Sequence, residues 1–210
     1  MQLILASSSP RRQELLALLG LSFQVIPPNV HEQPTPELPP SEQVRRFALE
    51  KARAVVAQFP DGLVLGSDTV IELDGQLLGK PVDLHDARIM LARLAGRLHH
   101  VHTAVALCSR ERELEFVESD TAKVEMKPDR ENLYARYLAS QESMGKAGAY
   151  AIQGLGGDLV DRIDGDYTTV VGLPLQLVAR LLGLAGYPVP VHVEELYQRR
   201  PYANWNRFAV

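Results

Sequence analysis

The sequence contains little cysteine and no long apolar run. Its 210 residues include a single cysteine, Cys108, which excludes an intrachain disulfide and is typical of a reducing compartment. Cys108 ends the apolar run Ala104–Cys108, so we expect a core thiol, with a nucleophile as the alternative. No run of about 18 apolar residues occurs, and Met1–Ala6 lacks the basic start and apolar length of a signal peptide. We therefore expect a soluble cytoplasmic protein that binds no membrane.

Basic residues are slightly outnumbered by acidic ones. The formal net charge is -4 at pH 7, with 22 Lys and Arg residues against 26 Asp and Glu residues. This balance argues against a broad surface for polyanions, and hence against nucleic-acid binding, while it leaves room for a local basic pocket. What the sequence does have is an ordinary globular composition, 46% hydrophobic, at a length that fits one domain.

Alternating strand and helix patterns are mixed with antiparallel hairpin patterns along the chain. A tight hairpin is predicted around an Asp74–Gly75 turn, long strands at Leu98–Cys108 and Leu114–Met126, and a small strand at Tyr150–Gln153. This mixture predicts an α/β fold in which helices flank a mixed, twisted sheet.

Two adjacent arginines stand at the start of a predicted helix. In the stretch Ser7–Gly20, "SSSPRRQELLALLG", Ser9 is predicted as the N-cap and Pro10 as the first helical residue. Arg11 and Arg12 then fall in the first turn, where the helix already carries positive partial charge. Serine hydroxyls, free N–H groups and guanidinium groups together would form a cradle for phosphate. Two solvated arginines are the alternative.

Lys51 and Asp68 also occupy unusual places. Lys51 falls on the apolar stripe of a helix predicted from residue 41 to about residue 58, so its ammonium group must either extend to solvent or meet an anion. Asp68 is predicted at the end of an apolar strand, a position from which α/β proteins present catalytic groups. A turn or a helix cap is one alternative for Asp68, and continuation of the strand through Thr69 is another.

The predicted hairpin connects Lys80 with the same region. Counting outward from the turn places Lys80 opposite Thr69, one residue from Asp68. The side chains of Lys80 and Asp68 then meet only if the glycine or the proline beside Lys80 bends the strand.

A glycine-rich stretch contains two further candidates, Lys146 and Gln153. The Gln153 amide could read the edge of a nucleobase through paired hydrogen bonds, and a glutamine that stabilises a turn is the alternative. In a separate stretch, His99, His100 and His102 alternate between the two faces of a strand, so we interpret them as structural or surface residues and not as metal ligands.

The unusually placed charges share one explanation. They comprise the cations Arg11, Arg12, Lys51 and Lys80 and the acids Glu32 and Asp68. A triphosphate together with a divalent metal held by the acids would neutralise this set. The sequence therefore favours a hydrolase or a binder of nucleotides.

Six stretches resemble the Maf family of nucleoside triphosphate pyrophosphatases, and they occur in the family's order: "LASSSPRRQELL", "EKARAV", "GSDTVI", "GKPVD", "GKAGAYAIQGLGG" and "VVGLPL". The resemblance implies a mixed α/β fold of the Maf and inosine-triphosphatase-like type, with two lobes around a cleft. It implies a Maf-like domain over residues 1–186, followed by an extension of unknown role over residues 187–210, and a homodimer. The implied reaction converts a nucleoside triphosphate to the monophosphate and pyrophosphate with Mg²⁺ or Mn²⁺.

The resemblance also implies roles for individual residues. Asp68 matches the family's proton acceptor, and Glu32 matches an acid near the metal, so both are candidate metal ligands. The phosphate-binding groups of the family match Ser7, Arg11, Arg12, Lys51 and Lys80, and Lys146 matches a lysine of its pattern. The stretch Gln141–Tyr150, "QESMGKAGAY", departs from the family around that lysine.

Three positions differ between the family's subgroups, which prefer different nucleobases. Arg11, Thr69 and Gln153 resemble the subgroup that acts on dTTP and UTP, whereas the subgroup resembling 7-methyl-GTP pyrophosphatases carries tryptophan, glutamine and glutamate there. The resemblance therefore implies hydrolysis of dTTP, UTP and modified pyrimidine triphosphates, which would clean the nucleotide pool. A 7-methyl-GTP-type enzyme and a non-catalytic, nucleotide-sensing regulator of septum formation are the alternatives.

Overall fold

The computed structural model describes residues 1–35, 37–130 and 132–208. Ala209 and Val210, which end the predicted extension, lie outside the described residues. The strands are β1 (Leu3–Ala6), β2 (Gln24–Val25), β3 (Leu63–Leu73), β4 (Gln76–Leu78), β5 (Leu98–Ser109), β6 (Leu114–Met126) and β7 (Val160–Asp164). The helices are α1 (Pro10–Ala17), α2 (Pro40–Val56), α3 (Leu84–Leu94), α4 (Leu133–Ala139), α5 (Tyr167–Val171), α6 (Leu175–Leu184), α7 (Val193–Arg199) and α8 (Ala203–Arg207), with 3₁₀ turns at Ala147–Ala149 and Leu155–Leu159.

The strands form a mixed sheet. Within the described residues it has seven strands in the order β2-β1-β3-β5-β6-β7, with β4 attached to β3. Strand β1 runs parallel to β2 and β3, whereas β4 is antiparallel to β3 and β7 is antiparallel to β6. The predicted mixed α/β fold is confirmed, and the cleft between two lobes stays a prediction.

The chain divides into two compact units. The first contains Met1–Thr69, Thr103–Asp120 and Gly172–Arg199, and the second contains Val70–His102, Thr121–Val171 and the chain from Arg200 onward. Helix α7 therefore belongs to the first unit, and helix α8 belongs to the second. In the part of the chain that the structure describes, no helix is long and apolar enough to cross a membrane.

Helix α2 packs closely on strand β3 at Gly66. A Cβ atom added there would lie 2.4 Å from the Ala48 carbonyl oxygen and 2.8 Å from the Ala52 amide nitrogen, so only glycine allows this approach. The buried face of α2 carries Lys51 between Ala48 and Ala52, and Asp68 follows Gly66 by two residues on β3. The contact at Gly66 therefore brings Lys51 beside Asp68.

Asp68 lies inside strand β3 and not at its end, so that prediction is wrong. Strand β3 continues to Leu73 because its second half pairs with β4, with Ile71 opposite Leu78. The parallel neighbour β1 does stop early, since its last pair joins Ala6 to Gly66. Asp68 therefore lies two residues beyond the last pair that β3 forms with β1. At this position its side chain contacts Lys51 of α2.

Two further predictions concern the second unit. The turn forms as predicted, with positive φ at Asp74 and Gly75, but β4 ends at Leu78 and does not carry Lys80 into the ladder. The strand predicted at Tyr150–Gln153 is absent from the described residues. The backbone is left-handed at both Gly148 and Ala149, with φ of 62° at each, and this conformation interrupts an extended chain.

The single cysteine is a core residue. Cys108 is 3% exposed at the end of β5, and burial raises the pKa of its thiol to about 12. A thiol that stays protonated is a poor nucleophile, so the expectation of a core thiol is confirmed.

Candidate active site

The first unit contains a buried lysine held between two carboxylates. Lys51 is 7% exposed and Asp68 is 6% exposed. The Lys51 Nζ atom lies 2.5 Å from Asp68 Oδ1 and 2.6 Å from Glu32 Oε1. Glu32 reaches this point from an exposed loop. Lys51 therefore meets anions instead of extending to solvent, which settles the alternative that its place on the helix left open.

A second network begins at Arg12. Its Nε atom donates to the Gly172 carbonyl oxygen at 2.9 Å, and its Nη2 atom donates to Thr69 Oγ1 at 3.1 Å. The Thr69 hydroxyl is also 3.0 Å from the Thr103 hydroxyl, and Ser67 Oγ donates to the Gly172 carbonyl at 3.2 Å. Arg12 is therefore fixed against β3 at Thr69, the residue that directly follows Asp68 on that strand.

Gly172, Ser67 and Thr103 were not singled out by the sequence. Gly172 adopts a φ of +118°, and a Cβ atom there would lie 3.1 Å from Thr69 Oγ1, so the position requires glycine. Its place in "VVGLPL" was the one available signal. The hydroxyl of Thr103 carried no signal, because it is joined to Thr69 only through the sheet.

The junction between β1 and α1 supplies the remaining groups of the first unit. Ser7 is buried, and its hydroxyl accepts a hydrogen bond from the Ser9 amide at 3.1 Å. Arg11 and Arg12 follow in the first turn of α1, both half-buried. These residues stand at the helix start, where backbone N–H groups and positive partial charge favour an anion.

The charges of this unit act on one another. Burial lowers the pKa of the Arg12 guanidinium, the Asp68 carboxylate opposes that shift, and Arg11 and Glu32 contribute smaller effects of opposite sign. The guanidinium stays protonated throughout the physiological range. Arg12 is therefore a partly desolvated cation whose charge interacts with those of Asp68 and Glu32, and such a cation interacts strongly with phosphate.

Three predicted residues lie in the second unit. Lys80 is exposed, and Gln153 is half-buried beside the second 3₁₀ turn. The Lys146 Nζ atom donates to the Met144 carbonyl at 3.1 Å. The loops of Lys80 and Lys146 are joined by a hydrogen bond of 2.9 Å from the Gly148 amide to the Gly79 carbonyl. The structure thus brings Ser7, Arg11, Arg12, Glu32, Lys51, Asp68 and Thr69 into one unit and these three into the other.

The donor set of Glu32 and Asp68 fits a hard divalent cation. One oxygen of each carboxylate contacts the same Lys51 nitrogen, so the two acids already converge on a positive charge. Mg²⁺ is commonly held by one or two carboxylates together with substrate phosphates. No group of three or more His, Cys, Asp or Glu side chains suited to a metal occurs in residues 1–35, 37–130 and 132–208.

The histidines of β5 are structural within the second unit. His99 is 1% exposed, and its Nε2 atom lies 2.8 Å from the Tyr150 hydroxyl. His100 Nδ1 and His102 Nε2 lie 3.2 Å and 3.5 Å from the same Glu72 oxygen. These pairings agree with the interpretation of the histidines as structural or surface residues.

Comparison with known proteins gives a consistent set of similarities. A family model described as "Maf-like protein" matches residues 2–185. A "dTTP/UTP pyrophosphatase" of Symbiobacterium thermophilum is 47% identical over 188 residues, which cover 90% of this chain and 96% of the relative. Proteins of the same name from Bacillus velezensis and Moorella thermoacetica are each 46% identical, over 86% and 90% of this chain and 95% and 97% of the relatives.

One solved structure is also similar in part. "The structure of the Staphylococcus aureus Ham1 protein" aligns with 60% of this chain and 72% of that chain, at 15% identity and a TM-score of 0.45. This overlap is too partial to support an argument about the fold or the site.

Proposed function

The chain belongs to the Maf family, and from that premise we propose that it hydrolyses dTTP, UTP and modified pyrimidine triphosphates to the monophosphate and pyrophosphate. Such an activity would remove unwanted nucleotides from the pool. Relatives that bear the name dTTP/UTP pyrophosphatase, and that match nearly their whole length, support the proposal.

The buried pair of Lys51 and Asp68, which Glu32 contacts from an exposed loop, is the observation that carries the proposal. Taking a carboxylate and an ammonium group out of water is costly, and a fold gains little stability from such a pair compared with apolar packing. We therefore infer that Lys51, Asp68 and the neighbouring Arg12 serve catalysis or binding, and not stability. Hydrolysis of a polyanion would use these groups, because it needs both a proton acceptor and cations.

In the proposed reaction, Asp68 accepts a proton from a water molecule as the water oxygen attacks the α-phosphorus. The new bond joins that oxygen to phosphorus, and the bond from phosphorus to the oxygen that bridges to the β-phosphate breaks. Pyrophosphate leaves with the electron pair of the broken bond. Lys51 fixes the Asp68 carboxylate at 2.5 Å, so the proton acceptor is oriented before substrate arrives.

Cations would hold the triphosphate and stabilise charge on the leaving group. We assign this role to Arg11, Arg12, Lys51, Lys80 and Lys146, with the Ser7 hydroxyl as a further donor. Glu32 and Asp68 would hold Mg²⁺ or Mn²⁺, which when bound neutralises phosphate charge as a Lewis acid.

Arg11, Thr69 and Gln153 are the residues to which we assign the preference for pyrimidine. Within the first unit, Thr69 is held by Arg12 and Thr103, so its side chain has a defined orientation. The proposal further includes a homodimer in the cytoplasm that binds neither nucleic acid nor membranes. The negative net charge and the single cysteine support the absence of nucleic acid and the reducing compartment.

Release of pyrophosphate from a panel of nucleotides tests the proposal. The panel contains dTTP, UTP, CTP, ATP, GTP and 7-methyl-GTP, each with Mg²⁺ or Mn²⁺ and each with EDTA. We expect dTTP and UTP to be the best substrates and EDTA to stop their hydrolysis. Asp68→Asn should lower kcat by at least about 100-fold because it removes the proton acceptor while keeping the size of the side chain.

Asp61→Asn is the matched control, since Asp61 is an exposed aspartate of the same unit. It should hydrolyse dTTP at the wild-type rate. A wild-type protein without activity on any pyrimidine triphosphate would overturn the proposal, and a preference for 7-methyl-GTP would reassign the substrate.

A further inference from the structure

The C-terminal helix α8 contacts the loop that contains Gln153, and both belong to the second unit. Asn204 Nδ2 donates to the Ile152 carbonyl at 2.6 Å and to the Gly154 carbonyl at 3.0 Å. An asparagine amide has two N–H donors, so one side chain can make both bonds. The two carbonyls belong to the residues on either side of Gln153. Asn204 is therefore hydrogen-bonded to the backbone on both sides of that residue.

Two glycines of the loop make room for the side chains that hydrogen-bond to it. A Cβ atom at Gly157 would lie 2.4 Å from Asn204 Nδ2 and 2.8 Å from the Ile152 carbonyl oxygen, so the asparagine fits only because residue 157 is glycine. On the other side, the Leu155 amide donates to Glu142 Oε2 at 3.0 Å, and a Cβ atom at Gly154 would lie 2.5 Å from that oxygen. Close packing from two directions restrains the loop.

Helix α8 is itself anchored to the second unit. Trp205 is 3% exposed and stacks on Tyr167, with ring centroids 5.4 Å apart. Arg207 forms an ion pair of 2.7 Å with Asp158, which follows the loop. The asparagine is therefore presented by a fixed element and not by a loose chain end.

We propose that Asn204 is a positioning residue for nucleobase discrimination, acting through Gln153. The inference rests on the proposed function, because it takes Gln153 as the group that contacts the base. Three of the four residues after Gln153 are glycines, and glycine leaves the backbone unusually free. A glutamine amide distinguishes bases only when its oxygen and nitrogen are held in a fixed direction, so a mobile loop would lose discrimination. The extension beyond the family match, which ends at residue 185, thus holds the backbone of the loop that contains Gln153 in a fixed position.

Loss of the two hydrogen bonds from Asn204 should weaken recognition of the nucleobase more than it slows the chemical step. For Asn204→Ala, we expect KM for dTTP to rise and the ratio of kcat/KM for dTTP over ATP to fall by about tenfold, because two hydrogen bonds are lost. The kcat value for dTTP should stay near wild type. Asn204→Asp has nearly the same size but lacks both donors, so it should lose discrimination at least as strongly.

Asn206→Ala is the matched control. It removes the same type of side chain from the same helix, but the Asn206 amide donates to the Arg200 carbonyl at 3.1 Å and not to the loop. Its discrimination should equal that of wild type. Melting temperatures of all variants show whether a change reflects general unfolding.

The decisive comparison repeats the substitution in Gln153→Ala. If Asn204 acts through Gln153, then Asn204→Ala should not lower discrimination further in that background. Calorimetric binding of dTTP and ATP with Mg²⁺, in the Asp68→Asn background, gives the same comparison without hydrolysis. Hydrogen exchange of residues 151–159 should be faster in Asn204→Ala and unchanged in Asn206→Ala.

The outcomes separate the inference from its premise. Wild-type hydrolysis of dTTP with unchanged discrimination in Asn204→Ala overturns the inference alone. An equal further loss in the Gln153→Ala background also overturns it, because Asn204 would then act by another route. Failure of the wild-type chain to hydrolyse dTTP contradicts the proposed function, while the binding comparison still decides the role of Asn204. A wild-type chain that neither binds nor hydrolyses dTTP or ATP overturns both.

Discussion

Lys51 connects the helix pattern of the sequence with the chemistry of the site. Its ammonium group is buried beneath α2 and paired with Asp68 on β3 and Glu32 on a loop. A buried charge that loses its partner typically costs about 3–5 kcal/mol, whereas exposed pairs contribute about 0–1 kcal/mol. The stability of the first unit therefore depends on keeping the Lys51 and Asp68 charges together.

Lys51→Met should lower the free energy of unfolding by about 3 kcal/mol, because it leaves the Asp68 carboxylate buried without its cation. Urea unfolding measures this loss. The double variant with Asp68→Asn should recover much of the stability, since both charges are gone, and yet remain inactive on dTTP. Lys123→Met, which removes an exposed lysine 3.8 Å from Asp164, is the control and should change little. A Lys51→Met protein as stable as wild type would contradict this account.

Spacing alone placed Lys51 on the buried face of α2, because every residue of its stripe lies on one side of a helix. Its partner Glu32 could not be chosen from the sequence by position, since a loop has no period that predicts direction. The contact from Arg12 to the Gly172 carbonyl was also out of reach, because any residue presents a carbonyl and the two positions meet only in the folded chain.

At the level of elements, strand β5 buries a histidine that must stay neutral. Burial, with a smaller effect of His100, lowers the pKa of His99 from 6.5 to about 3. The folded protein therefore resists protonation of His99, whereas the unfolded chain takes up a proton below its ordinary value. Stability from this residue is complete above that value and is lost as the pH falls from it toward about 3.

Between about pH 7.5 and pH 5, His99 alone should remove about 2 kcal/mol from the free energy of unfolding. His99→Gln should show a smaller acid-dependent loss than wild type, measured by urea unfolding at both pH values. The exposed His85 of α3 provides the control, and His85→Gln should keep the wild-type dependence. Equal pH dependence in wild type and His99→Gln would show that His99 is not the responsible group.

Elements with strong local signals were predictable, and elements defined by packing were not. The Asp74–Gly75 turn formed as predicted because it requires two left-handed residues that this pair tolerates. The strand expected at Tyr150–Gln153 did not form, although Tyr150 and Ile152 are buried, because this short segment lies between two 3₁₀ turns. Helix α8 has only five residues, too few for a periodic pattern, and depends on Trp205 packing against Tyr167.

For the whole molecule, composition and motif order were sufficient to predict a mixed α/β fold and membership of the Maf family. The residues expected to act on one substrate are divided between two units of the chain. The sequence motifs identified these residues through their resemblance to the family. Composition and charge only narrowed the choice of functional class to a hydrolase or a binder of nucleotides. The extension past residue 185 lies beyond the family match, and the role that we propose for it rests on the contacts of Asn204.

We propose that water, oriented by Asp68, attacks the α-phosphorus of a pyrimidine nucleoside triphosphate. Hydrolysis of dTTP in water labelled with the heavy oxygen isotope, followed by mass spectrometry of both products, tests it most directly. The account predicts one labelled oxygen in dTMP, none in pyrophosphate, and almost no product with Asp68→Asn. Label in pyrophosphate, or full activity of Asp68→Asn, would contradict it.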